Sequence, residues 1–210
     1  MITLQQLTEM LDMQEALEIR IDGPNWREKG HDYRLCIHME CAEIIDHLGW
    51  KHWKAVDQEP NWDAVTMELI DVWHFGMAHF LSYNDFKPKL LFGHIETAME
   101  ETSADASMLQ LCIGLGYSMF QYNNFALGNF IDMMDKANLS WSELYRLYIG
   151  KNILNWFRQD HGYKEGLYMK IWAGKEDNEH LFELTESLGD NFNSIELVKG
   201  LSARYTLAGH

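Results

Sequence analysis

Leu4, Leu7, Met10 and Leu11 recur at intervals of three and four, the period that lines apolar side chains along one face of a helix. Thr3 ahead of them and Gln6 three residues later form a capping-box pattern, so a first helix is predicted from Leu4 to about residue 19. Residues 20–30 (RIDGPNWREKG) break the pattern with glycine, proline and asparagine and read as a loop. A second helix is predicted over about 32–48, followed by a connector at 49–60 rich in aromatic and basic groups. Asn61 suits an N-cap and opens a third helix to about residue 83. Residues 84–137 carry enough helical periodicity for two or three further helices with weak boundaries. Ser140 and Glu143 form another capping box, starting a long helix through Leu147, Ile149, Ile153, Leu154 and Phe157 to about residue 159. A loop punctuated by Gly162, Gly166 and Gly174 follows, then one or two C-terminal helices from about residue 177. No segment sustains period-two alternation, so the expected fold is an all-α helical bundle forming a single domain over residues 1–210, with 84–137 as a helical lobe.

Composition narrows the function classes. The apolar fraction of 47% supports a large core. A net charge of −15 argues against nucleic acid or an anionic membrane as partner. The charge is uneven: Lys151, Arg158, Lys164, Lys170 and Lys175, against Asp160 and Glu165, make residues 151–175 net +3 and leave −18 elsewhere. One basic segment in an acidic chain points to a local anion site. The three cysteines, Cys36, Cys41 and Cys112, lack metal-knuckle spacing and suggest reduced thiols. The N-terminal residues show no secretory pattern and no apolar run reaches membrane-spanning length, so the expected location is cytoplasmic.

Two carboxylate pairs carry the first chemical hypothesis. Glu40 and Glu43 (MECAEIID) and Glu68 and Asp71 (MELIDVW) are each spaced i, i+3, so each pair projects from one helix face. The 24 residues between the pairs, 44–67, allow one helix to end and a second to return beside it. Four converging carboxylates repel one another unless a cation sits among them, and oxygen-only donors suit Mg²⁺, with Mn²⁺ as a substitute. The competing reading is a solvated acidic face. It is weakened because both pairs lie in apolar sequence and no lysine or arginine occurs in 37–50 or 62–86 to provide i, i+4 partners. His74 follows Asp71 by three and shares its face, where it can donate to a sugar hydroxyl or ligate metal.

Two further segments invite a phosphate ligand. GWKHWK (49–54) reads either as an apolar plug rimmed by lysine or as a stacking surface, Trp50 or Trp53, beside cations. Lys151, Asn155 and Arg158 fall four and three apart, one polar stripe facing a glycine-rich loop that bears Tyr163, Lys164 and Lys170. Such a stripe is either an ordinary solvated face or a wrap for a polyphosphate.

With these residues in place, the chain resembles the dimeric all-α dUTP diphosphatases, within the all-α NTP pyrophosphatase superfamily. The resemblance rests on ECAEIIDHLGWKHWK (40–54), ELIDVWHF (68–75), IGKNILNWFRQDHGY (149–163) and GKEDN (174–178), with Gln14 and GPNW (23–26) also similar. It implies Glu40, Glu43, Glu68 and Asp71 as catalytic magnesium ligands; of these, Glu40 is the choice here for the carboxylate that deprotonates the attacking water. It implies Lys54, Lys151, Arg158, Tyr163, Lys170 and Lys175 as phosphate contacts. Around the uracil and sugar it implies Gln14, Trp53, His74, Phe75, Asn155 and Asn178. It further implies homodimers that hydrolyse dUTP, and dUDP, to dUMP, and marks 84–137 as the variable lobe. The tail after about residue 188 has no counterpart in the resemblance. Rival readings are a related pyrophosphatase acting on dCTP or a non-standard nucleotide, or a non-catalytic helical protein-binding module. A di-iron bundle is disfavoured because Glu43 and His47 have the wrong spacing for a second carboxylate-x-x-His element.

Overall fold

The caps written in the sequence set where the helices begin. In a computed structural model, which describes residues 1–51, 53, 59–101, 105–189 and 192–209, both predicted capping boxes form. The Thr3 hydroxyl accepts from the Gln6 amide, and the Ser140 hydroxyl from that of Glu143. Helix α1 (Leu4–Asp22) runs three residues further than periodicity suggested and stops at Gly23. A short 3-10 turn, Trp26–Lys29, leads to α2 (Tyr33–His47), capped by Asp32. Asn61 caps α3 (Trp62–Leu81) by accepting from the Ala64 amide.

The lobe at 84–137 contains three helices, α4 (Pro88–Glu100), α5 (Met108–Tyr122) and α6 (Leu127–Lys136). Then come α7 (Trp141–Asp160), α8 (Asp177–Leu188) and α9 (Ser194–Leu207). Within this all-α fold the glycine-punctuated loop holds one small element that periodicity did not show, two strands, β1 (Ile171–Trp172) and β2 (Lys175–Glu176), paired antiparallel. Their turn has positive φ at Ala173 (48°) and Gly174 (85°), the backbone of a two-residue hairpin loop. Two-residue strands are too short to show alternation, and alanine hides the usual Asn-Gly signal.

Helix α2 packs mainly on α3 and α5, α1 on α7 and α3, and α7 on α8 and α9. Trp73 of α3 anchors the core, stacked on Phe130 at 5.2 Å with Trp141 edge-on at 6.1 Å. A second aromatic cluster, built from Phe157, Tyr168, Trp172 and Tyr205, ties the hairpin and α9 to α7. Cys41 and Cys112 are buried. No helix among the described residues is long and apolar enough to cross a membrane.

Candidate active site

Helices α2 and α3 lie side by side, and this packing brings the two carboxylate pairs together. Oxygens of Glu40, Glu68 and Asp71 all lie within 4.8 Å of one another, and Glu43, one turn beyond Glu40, lines the same cleft of about 900 Å³. Glu68 is buried and Glu40 half-buried. Burial, and then the charges of Asp71, Glu68 and Glu43, push the Glu40 carboxyl up to about 9. Glu68 is raised by burial and by Asp71. Among the described residues, little offsets this repulsion. Lys151 Nζ donates to Asp71 Oδ2 at 2.7 Å, and His47 Nε2 sits 3.4 Å from Glu68 Oε1. A buried oxygen cluster with more negative charge than its neighbours neutralise has the donor chemistry for a hard divalent cation, so these residues fit one.

The basic wall comes from α7, the hairpin and α8. Lys151 is 2% exposed, so it is no solvated face: its ammonium bridges Asp71 and, at 2.8 Å, Asn178 Oδ1. Arg158 grips Asp177 through two parallel bonds of 2.8 Å and donates to Asn155 Oδ1 at 3.0 Å. Tyr168 also donates to Asp177 at 2.8 Å. The Tyr163 ring lies 5.7 Å from the Arg158 guanidinium. Lys170 pairs with Glu176 at 3.2 Å, and Lys175 with Glu183. Each of these four cations therefore already holds a carboxylate of its own chain.

Uncharged side chains also line the cleft: Gln14, His74, Phe75, Asn155 and Asn178. His74 Nδ1 is 2.7 Å from Gln14 Oε1, and the imidazole stacks on Tyr148 at 4.1 Å. Burial drives the His74 imidazolium down to about 3, so the ring is neutral.

The cleft thus gathers Glu40, Glu43, Glu68 and Asp71, then Lys151, Arg158, Tyr163 and Lys170, and the five uncharged residues. Two expected residues lie elsewhere. Lys175 is engaged by Glu183 and does not line the cleft. Trp53 is 61% exposed, edge-on to an exposed Trp50 at 5.2 Å, and does not line the cleft either. That pair also corrects the reading of GWKHWK as an apolar plug. Lys54 lies outside the described residues. Sequence reasoning missed Asp177, Glu18 and His47. Asp177 stood inside GKEDN, but nothing local signals that its partner lies 19 residues upstream.

The family model for dUTPase matches residues 6–163, three quarters of the chain. The matched span contains all four carboxylates, Lys151, Arg158 and Tyr163, while Lys170, Asp177 and Asn178 fall beyond it. No curated protein matches the chain. Nine helices among the described residues and a single two-residue-strand hairpin agree with an all-α member. From the match and the helical cleft together, the chain belongs to the dUTPase family, in its all-α branch, and is an enzyme that hydrolyses dUTP.

Proposed function

We propose that the enzyme converts dUTP to dUMP and diphosphate, and dUDP to dUMP and phosphate, with Mg²⁺ held by Glu40, Glu43, Glu68 and Asp71. The observation that carries this reading is the mutual approach of three carboxylates to within 4.8 Å, with Lys151 paired to Asp71. A cation bound there would offset their repulsion and that of the phosphate oxygens. With its carboxyl ionised beside a bound cation, Glu40 would take the proton of the attacking water. The water oxygen bonds to the phosphorus nearest the sugar as its P–O bond to the outer group breaks, releasing diphosphate from dUTP or phosphate from dUDP. Arg158, Lys170 and Tyr163 receive the phosphate chain, with Lys151 holding Asp71 and Asn178 in place behind them. Gln14, His74, Phe75, Asn155 and Asn178 take the nucleoside, where mismatched polar edges are left unpaired and so rejected.

The test is product analysis over a nucleotide panel. With Mg²⁺, dUTP and dUDP both give dUMP, dCTP and dTTP turn over poorly, and a chelator stops the reaction. Turnover indifferent to chelation, or a preference for dCTP, overturns the reading.

We also propose that two copies pair through α2 and α5. Helix α5 has no charged residue along its 15 positions, yet Leu109, Ile113, Tyr117 and Phe120 are exposed on it. Leu35 and Met39 of α2 extend the patch, joined through His38 edge-on to Phe120 at 5.3 Å. Copies that each carry −15 repel overall, and an uncharged apolar face lets them meet at the least electrostatic cost. Native protein is expected to show twice the chain mass in light scattering. Ile113→Glu with Tyr117→Glu is expected to show the mass of one chain. A native monomer, or a variant that still pairs, refutes it.

A further inference from the structure

Glu18 lies one turn along α1 from Gln14, buried, and has no part in the roles assigned so far. Its two oxygens are both occupied by donors. Gln14 Nε2 donates to Oε1 at 2.8 Å, and the Tyr33 hydroxyl donates to Oε2 at 3.0 Å. A carboxylate only accepts, so it dictates which end of the Gln14 amide faces it. With the amide nitrogen turned to Glu18, the amide oxygen must face the other way. There it meets His74 Nδ1 at 2.7 Å, and at 3.1 Å the Tyr148 hydroxyl, whose single proton it shares with the Met10 carbonyl at 2.9 Å.

An amide oxygen facing Nδ1 requires a proton on Nδ1. Nε2 is then a bare acceptor. It is buried, it has no hydrogen-bond partner among the described residues, and the ring it belongs to lines the cleft. The choice between tautomers is therefore set upstream, by the order of the amide.

We propose that Glu18 is a positioning residue: through Gln14 it fixes His74 as the Nδ1–H tautomer, so that the ring offers the nucleoside an acceptor and selects a donor, a sugar hydroxyl or the imide N–H. The inference rests on the reading of Gln14 and His74 as nucleoside contacts, but its first test does not. In nucleotide-free native protein, long-range proton–nitrogen correlation NMR is expected to show His74 with its proton on Nδ1. A proton on Nε2 overturns the proposal, whatever the enzyme turns over.

Glu18→Gln keeps size and shape, and with its oxygen accepting from the Tyr33 hydroxyl its amide nitrogen donates to Gln14 Oε1. Gln14 then turns over, its nitrogen faces Nδ1, and the His74 proton is expected to move to Nε2. Presenting a donor where an acceptor is needed should raise KM for dUTP about tenfold while kcat changes less than about threefold. The penalty should vanish with 2′,3′-dideoxyuridine triphosphate if the selected donor is the 3′-hydroxyl, and persist if it is the imide. Tyr33→Phe removes a donor to Glu18 without altering what Glu18 offers Gln14, and should leave the tautomer on Nδ1. A rise in KM for Glu18→Gln with His74 still protonated on Nδ1 would mark Glu18 as merely structural and refute the proposal.

Discussion

Glu40→Gln is expected to cut dUTP turnover by about 10²–10⁴-fold and yet to raise the melting temperature of the metal-free protein. The two effects have one cause. Burial, Asp71, Glu68 and Glu43 push the Glu40 carboxyl up to about 9. A carboxyl that is raised in the folded state favours folding fully below its unfolded pKa, near 4.5. That contribution is then lost as pH rises toward 9. Chelated native protein should therefore soften steadily across that window. Glutamine at position 40 stays neutral throughout, so the variant should soften less, and the gap should widen with pH. At pH 8 a difference of at least about 2 °C is expected for a chain of this size. Adding Mg²⁺ should return most of the lost stability to the native protein and little to the variant. Thermal melts with chelator and with Mg²⁺ at pH 5, 7 and 8, beside turnover, check this. A variant that melts lower than native protein in chelator at pH 8 would show that the cluster is not under mutual repulsion. Activity in such a site is obtained at the expense of stability.

Asp177→Ala should be the most damaging single change for the fold. Asp177 is fully buried and accepts two bonds from Arg158 and one from Tyr168. Removing it leaves a guanidinium with little exposure and no carboxylate, a change that typically costs about 3–5 kcal/mol. For this chain length that corresponds to roughly 10 °C in melting temperature. Burial works to raise the Asp177 carboxyl, but the bonds and charge of Arg158, with Tyr168, hold it below the usual range. A carboxyl lowered in the folded state stabilises above its unfolded pKa, and that benefit disappears as pH falls through the folded value. The native protein should thus lose stability on acidification through a contribution that the variant lacks. Urea unfolding at pH 7 and pH 3.5 measures both. A loss under about 1 kcal/mol at pH 7 would mean that Arg158 finds another partner. Asp177→Asn, which keeps acceptor capacity without charge, should fall between the two.

What could be read ahead of the structure was local. Thr3 with Gln6 and Ser140 with Glu143 declared helix starts because a capping box spans only four residues. The i, i+3 spacing of Glu40 with Glu43 and of Glu68 with Asp71 fixed a shared face for the same reason. The stripe of Lys151, Asn155 and Arg158 was also legible, but its environment was not. Periodicity says that three residues share a face, and it cannot say that the face turns inward toward Asp71 and Asp177. The resemblance supplied Lys175 and Trp53 as contacts, while the conformation here gives Lys175 to Glu183 and leaves Trp53 exposed. The hairpin at 171–176 escaped because positive φ at Ala173 carries no residue signal. Glu18 escaped because its role depends on the order of another residue's amide.

The ion pair between Asp71 and Lys151 has a consequence for how the chain assembles as it is made. Its members are 80 positions apart, and the second partner of Lys151, Asn178, is 27 further on. During synthesis the α2–α3 pair leaves the ribosome with all four carboxylates and none of the cationic wall. At ordinary elongation rates of about 5–20 residues per second, several seconds pass before Lys151 emerges. Through that interval α2 and α3 have apolar faces that favour contact and acidic faces that oppose it. Their docking is therefore expected to wait for α7, which makes the catalytic cleft one of the last regions of the nascent chain to close.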